Sequence, residues 1–98
     1  MKVQLPNNKT YNVKWMYSTE EETDSGQYET DCFVEDTDSV LLAYTTAYKS
    51  PKDKLDKNKA RKVSLKYTLD VLCANDASIK PYRQNFWDAY KEMRNGKW

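Results

Sequence analysis

The sequence predicts an α+β domain in which an N-terminal antiparallel sheet of about four strands is followed by two C-terminal helices packed on one face. Residues 3–48 carry apolar side chains mainly at every second position, which is typical of strands. Residues 59–93 carry them at intervals of three and four, which is typical of helices. With 98 residues the chain has room for one modest core, so we interpret residues 1–98 as a single domain.

The first three predicted strands are separated by polar, turn-forming segments. Residues 3–5 and 11–17 alternate apolar and polar side chains, and the Pro-Asn-Asn-Lys segment between them favours a tight turn. The polar segment 18–27 indicates a loop, after which residues 28–34 alternate again. The acidic segment 35–38 predicts the next turn.

Residues 39–48 predict a fourth strand that has apolar side chains on both faces. One face carries Val40, Leu42, Tyr44, Thr46 and Tyr48, and the other carries Leu41, Ala43 and Ala47. A strand of this kind is usually central in its sheet or covered by other elements. We therefore expect this strand to be central or covered, with helices on one face of the sheet.

The first helix is predicted over residues 59–74, after a polar loop that follows Pro51. Its N-cap is expected at Asp56 or Asn58, because both side chains can accept a hydrogen bond from a free backbone N–H. Apolar residues form a broad stripe at helical spacing. The stripe consists of residues 63, 65, 67, 69, 71 and 72.

The second helix is predicted over residues 79–93, with Ser78 as its N-cap and Pro81 in its first turn, where proline is tolerated. The Asn-Gly pair that follows is expected to end it. One face is strongly apolar and is predicted to pack on the sheet. It comprises Ile79, Tyr82, Phe86, Tyr90 and Met93, with Trp87 beside it.

The residue types that are missing argue against catalysis and against a bound metal or cofactor. The sequence contains no histidine, so serine or cysteine activation by an imidazole is excluded. It has no C-x-x-C spacing for zinc, and its two glycines cannot form a Gly-rich phosphate loop. We therefore predict a non-enzyme, and we interpret Cys32 and Cys73 as reduced, buried side chains.

Charge is unevenly distributed along the chain, although the formal net charge is only +1. Residues 1–48 contain three lysines and nine acidic residues, whereas residues 49–98 contain thirteen basic and six acidic residues. The two parts therefore carry formal charges of −6 and +7. Such a separation favours binding of a charged partner, although solvated faces that maintain solubility are the simpler alternative.

Two charged clusters are the candidate binding sites. The candidate acidic patch consists of Glu20, Glu21, Glu22, Asp24, Glu29 and Asp31. The candidate basic segment, for a partner protein or for phosphate, consists of Lys49, Lys52, Lys54, Lys57, Lys59, Arg61 and Lys62. Tyrosines near these clusters would anchor a partner if they are exposed, and would otherwise belong to the core. They are Tyr17, Tyr28, Tyr44 and Tyr48.

About half of the chain resembles small proteins encoded by phages and prophages. The resemblance rests on Thr30-Asp31-Cys32, on Pro51-Lys52-Asp53 followed by Lys57, Arg61, Lys62, Leu65 and Leu69, and on Arg83, Phe86, Trp87, Ala89 and Tyr90. Leu55 replaces an aromatic residue of that pattern and Ala60 replaces a glycine, which disfavours a close backbone approach to phosphate. The resemblance implies an inhibitor of bacterial defence, of the anti-CRISPR type.

Three classes of function follow. The first is a non-catalytic inhibitor of a bacterial defence protein, such as a CRISPR effector with its guide RNA, in which carboxylates imitate phosphates or lysines contact an acidic face. The second is a binder of nucleic acid or a nucleotide signal through residues 49–66. The third is self-association through an exposed sheet edge or an apolar patch.

The expected location is the cytoplasm of the bacterial host. No apolar run approaches the length of a membrane span, and the first eleven residues lack the apolar stretch of a signal peptide. We therefore expect no membrane partner.

Overall fold

Four antiparallel strands form one sheet in the computed structural model, which describes residues 1–19, 21–50 and 56–95. Their order in the sheet is their order in the chain, so each strand pairs with the next through a hairpin. The predicted four-stranded sheet is confirmed. The strands are β1 (Lys2–Gln4), β2 (Thr10–Ser18), β3 (Tyr28–Glu35) and β4 (Leu41–Lys49).

The turn before β4 is longer than predicted, so this strand begins two residues late. The Asp36 carboxylate accepts the backbone N–H groups of Asp38 and Val40, each at 2.9 Å. Ser39 adopts the left-handed conformation with φ of 63°. These side-chain hydrogen bonds keep residues 37–40 in a turn, and strand propensity at Val40 does not overcome them.

Of the two alternatives expected for the fourth strand, the central position is wrong, and the strand covered by a helix on one face is confirmed. β4 is an edge strand, because it pairs with β3 on one side and the described part of the chain places no strand on the other. Ala43 and Ala47 are buried towards the helices, whereas Tyr44 and Tyr48 point to the opposite side and are exposed. β4 is therefore covered on one face only.

The first helix, α1 (Lys57–Asn75), begins two residues earlier than predicted. Asp56 is its N-cap, and its carboxylate accepts the N–H of Lys59 at 3.1 Å. Leu65, Leu69 and Leu72 are buried as predicted. The other half of the predicted apolar stripe lies on a flank of α1, where Tyr67 and Val71 are exposed.

The predicted second helix is divided into two elements. A 3₁₀ helix spans Ala77–Tyr82, and α2 spans Arg83–Asn95. Because Pro81 has no N–H to donate, the α-helical hydrogen bonding begins only after it. The predicted cap at Ser78 is wrong, since the Asp76 carboxylate accepts both the N–H (3.1 Å) and the hydroxyl (2.6 Å) of Ser78.

Both helices pack on one face of the sheet, as predicted. On α2, Phe86 lies against Tyr11 with 5.8 Å between ring centroids, and Tyr90 lies against Trp15 at 6.0 Å. The Tyr90 hydroxyl donates to the side-chain oxygen of Asn58, which ties α2 to the start of α1. The buried core consists of Val3, Leu5, Tyr11, Val13, Cys32, Val34, Ala43, Leu65, Leu69, Leu72, Ile79, Phe86 and Tyr90.

Both cysteines are free thiols. Cys32 is buried, and burial raises its pKa to about 11. Cys73 is half-buried, so it is more accessible than predicted. Within the described residues, no helix combines the length and the apolar character needed to cross a membrane.

Candidate functional site

The two charged clusters belong to different layers of the molecule. The acidic cluster lies on the β2–β3 hairpin, and the basic cluster lies mainly on α1, which packs on the sheet from one side. The other side of the sheet carries no helix within the described residues, and we call it the open sheet face. Its central part consists of Lys14, Met16, Glu29, Asp31, Phe33, Glu35, Tyr44, Thr46 and Tyr48.

The loop between β2 and β3, which we call the acidic loop, holds the acidic side chains that the structure describes in solvent. Glu21, Glu22 and Asp24 are all exposed. The hydroxyl of Thr19 donates to the Glu22 carboxylate at 2.8 Å, and Gly26 provides a left-handed turn with φ of 70°. Local hydrogen bonds therefore shape the loop while its carboxylates remain accessible. Glu20, another predicted site residue, lies outside the described residues.

Two further acidic residues of the predicted patch, Glu29 and Asp31, lie on β3 and belong to the open sheet face. The Asp31 carboxylate accepts the hydroxyl of Thr46 at 2.6 Å and that of Tyr44 at 3.3 Å. The Glu29 carboxylate accepts the hydroxyl of Ser25 at 3.0 Å. Asp31 is thus held in place by β4, and Glu29 connects the strand to the acidic loop.

Aromatic and apolar side chains surround these carboxylates. Phe33 and Tyr44 pack on each other with 4.9 Å between ring centroids. Met16 and Tyr48 are exposed on the same face. Of the aromatic residues here, the sequence prediction included Tyr44 and Tyr48 but not Phe33. Period-two alternation also places Phe33 and Met16 on this face, because Cys32 and Trp15 face the core.

The basic cluster is only partly available for binding. Lys49 lies over the ring of Tyr28, with its Nζ atom 4.9 Å from the centroid, and Lys57 lies over the ring of Tyr17 at 5.3 Å. Arg61 is half-buried and lies beside Tyr17. These contacts use the lysines as packing partners for tyrosines.

The remaining basic residues of the cluster are Lys59 and Lys62, whose side chains are exposed on α1. Lys52 and Lys54 lie outside the described residues. The sequence alone could not separate the lysines that pack on tyrosine rings from those that are exposed, because both kinds follow one another in the same basic segment.

The acidic loop and the start of α1 lie at the same end of the sheet. This follows from the Lys57–Tyr17 contact, since Tyr17 is near the end of β2, just before the loop. Among the described residues, Glu21, Glu22 and Asp24 form no ion pair with Lys59 or Lys62. The described ion pairs are Lys14–Glu35 (2.8 Å), Lys66–Asp70 (3.3 Å) and Arg83–Asp70 (2.8 Å).

A cavity of about 550 Å³ lies between the end of β4 and the start of α1. Tyr28, Tyr48, Lys49 and Lys59 contribute aromatic rings and positive charge to its lining. Asp56, the N-cap of α1, also lines it and supplies a negative charge. The cavity therefore offers two cations and two rings, but its helix N-terminus already has a carboxylate partner.

No group of three or more metal-binding side chains occurs within the described residues. Comparisons with protein-family models, with curated proteins and with solved structures found no match to this chain. The resemblance to small phage proteins therefore stays a prediction.

Proposed function

We propose that this protein is a non-catalytic inhibitor that binds a partner protein through the acidic loop and the adjoining open sheet face. The observation that supports this most directly is the exposure of Glu21, Glu22 and Asp24 without ion pairs to Lys59 or Lys62. Exposed aromatic residues are enriched at protein-binding surfaces, and the unneutralised carboxylates beside them would complement a positively charged partner.

The chemistry of this surface favours a partner with a basic surface. Carboxylates on a hairpin loop can take the positions that phosphates occupy in a nucleic-acid channel, and opposite charge accelerates association. Tyr48 and Met16 supply apolar contact area beside those charges, which a purely ionic contact would lack. Both features are needed because exposed ion pairs alone contribute little affinity.

The partner proposed is a bacterial defence protein, specifically a CRISPR effector complex. Such effectors hold a guide–target duplex in a positively charged channel. The resemblance of residues 30–72, and of the short closing segment around Trp87, to small phage proteins supports this choice of partner. The acidic surface supports this mode of contact.

A second candidate function is binding of nucleic acid or a nucleotide signal at the cavity beside α1. The observation that favours it is the pairing of Lys49 and Lys59 with the rings of Tyr28 and Tyr48 around one cavity. Lysines attract phosphate, and tyrosine rings stack on bases. Asp56 in the lining opposes an anionic ligand, so this function is the weaker candidate.

Charge neutralisation separates the two candidates. The acidic variant combines Glu21→Gln, Glu22→Gln and Asp24→Asn, which remove charge while keeping an oxygen that can accept the Thr19 hydrogen bond. The basic variant combines Lys49→Gln and Lys59→Gln, the two lysines that line the cavity. Glu92→Gln, an exposed acidic residue on α2, is the matched control.

Two measurements are made on each variant: inhibition of target cleavage by a reconstituted Cas9-type effector with its guide RNA, and binding of a fluorescent single-stranded RNA. We expect the acidic variant to lose about tenfold or more in affinity for the effector, mainly through slower association, and Glu92→Gln to match the wild type. Unchanged inhibition by the acidic variant would contradict the proposed surface. Wild-type protein that does not bind the effector would contradict the choice of partner, and RNA binding lost in the basic variant would favour the second candidate.

A further inference from the structure

The outer edge of β4 is an unused pairing surface nine residues long. In an antiparallel edge strand, every second residue directs its backbone N–H and C=O away from the sheet. The described part of the chain places no strand beside this edge. These groups form a template for another strand.

Before Lys49, the sequence of β4 lacks the charges and prolines that commonly protect an edge, and its one irregularity is a register shift against β3 at Leu42, near the start of the strand. Between Ser39 and Tyr48 there is no charged residue and no proline, and apolar side chains occur on both faces. Edge strands are usually short, charged or interrupted by proline, because unprotected edges pair with other chains. This composition is typical of a strand that is central or covered, which is what the sequence predicts.

Exposed apolar side chains are concentrated around the same edge. On the open sheet face, Tyr44 and Tyr48 are 47% and 62% exposed. On α1, Tyr67 and Val71 are 46% and 37% exposed. They share a flank of α1 with Val63, which lines the cavity beside Tyr48, so this flank faces the outer side of β4.

The position of α1 relative to β4 determines whether a second copy of the chain can pair with this edge without a clash between helices. The Thr68 hydroxyl lies 3.4 Å from the Cys32 carbonyl oxygen on β3 and 2.6 Å from the Thr45 hydroxyl on β4. α1 therefore lies above the seam between these strands. If a second copy paired with β4 at the usual strand spacing of about 4.8 Å, a two-fold axis would place the two α1 helices about 10 Å apart. This is close to the distance at which helices pack.

We propose that a second copy of this chain pairs with β4 in antiparallel orientation and so forms a dimer with a continuous eight-stranded sheet. The two-fold axis lies beside Thr45, the middle residue of β4. Because Thr45 contacts Ser64 and Thr68, Tyr67 lies at the level of the axis and meets Tyr67 of the second copy.

Charge and covered area favour a second copy over an extended peptide. In this register Lys49 faces Leu41, so no like charges oppose each other across the new strand pair. A lone peptide strand would satisfy the backbone of β4 but would bring no second helix to Tyr67 and Val71. A second copy covers both the strand edge and the helix flank.

The test measures the mass of the full chain by analytical ultracentrifugation at micromolar and millimolar concentrations. Tyr67→Lys is compatible with a helix and would place two lysines, one from each copy, near the two-fold axis. Because these like charges repel each other, we expect the dissociation constant of the dimer to rise about tenfold or more. The matched control is Gln84→Lys, which adds the same charge at an exposed position of α2 and should leave dimerisation unchanged. Circular dichroism verifies that both variants fold.

A second readout is amide hydrogen exchange of the wild type at both concentrations. We expect protection of residues 41–49 to increase with concentration, whereas protection of β1 stays constant. A monomer at millimolar concentration would overturn the proposal and would leave β4 available to an extended segment of another protein. A dimer that Tyr67→Lys does not weaken would also overturn it. So would protection of β4 that stays constant between two concentrations at which the measured mass changes from monomer to dimer.

Discussion

The two edges of the sheet are built differently. β1 has three residues, begins with a lysine and lies against α2, which packs on it through the core. β4 has nine residues, carries no charge before Lys49 and borders an exposed flank of α1. Short length and charge are common protections of an edge, and only β1 has them.

The difference shows how the second half of the chain is used. α2 stabilises the β1 side by burying aromatic rings, since Phe86 is fully buried between it and the sheet. α1 instead joins β3 and β4 through hydroxyl groups at their seam and keeps Tyr67 in solvent. The β1 side is thus packed against α2, whereas no described element covers the outer edge of β4.

The largest expected effect comes from truncating an aromatic side chain on the β1 side. Phe86→Ala removes a fully buried ring that packs on Tyr11, and we expect it to lower the free energy of unfolding by about 3–5 kcal/mol. Tyr48→Ala, the matched truncation on β4, should change it by no more than about 0.5 kcal/mol, because this ring is exposed. Urea unfolding at a low protein concentration measures both. Equal losses in the two variants would contradict the contrast between the edges.

A smaller effect is expected at the seam between α1 and the sheet. Thr68→Val keeps the shape of the side chain but removes the hydroxyl that contacts Thr45, Cys32 and Ser64. We expect a loss of about 1–2 kcal/mol, because the buried oxygen groups lose a polar partner. Thermal unfolding measures it, with Thr37→Val in the exposed turn before β4 as the control. A variant as stable as the wild type would show that apolar packing alone holds α1 over β4.

The smallest effect is a pH dependence at the junction between the helices. Hydrogen bonds from Ser78 hold the pKa of Asp76 below its usual value of 3.8. Because this pKa is lowered in the folded state, its stabilising contribution is present above pH 3.8 and is lost as the pH falls through the folded-state pKa. We expect Asp76→Asn to reduce the drop in melting temperature below about pH 4.

The matched control for this measurement is Asp88→Asn, an exposed acidic residue within α2. Asp70 retains its own contribution in both variants, since Arg83 and then Lys66 lower its pKa as well. The acid-induced decrease should therefore become smaller in Asp76→Asn without disappearing. An identical pH profile for Asp76→Asn and the wild type would show that this carboxylate contributes nothing to acid stability.

The sequence by itself determined the order and type of the elements, and it determined the inward faces of β2, β3 and α2. Alternation predicted four strands, and helical spacing predicted the buried positions of α2, because each pattern depends only on neighbouring residues. Local competition explains the errors at element ends: Asp36 delays β4, and Pro81 delays α2. The acidic loop was also predictable, since exposed Glu21, Glu22 and Asp24 lie in a polar segment without apolar periodicity.

Only the tertiary structure decided which strand lies at the edge, which half of the α1 stripe stays exposed and which lysines pack on tyrosines. Tyr67 and Leu69 both belong to the apolar stripe that the sequence predicts for α1. Because α1 lies over the β3–β4 seam, only Leu69 is buried. Strand order, helix placement and lysine packing all depend on contacts between segments that are distant in the sequence. A periodic pattern shows which face of an element is apolar, but it does not show what covers that face.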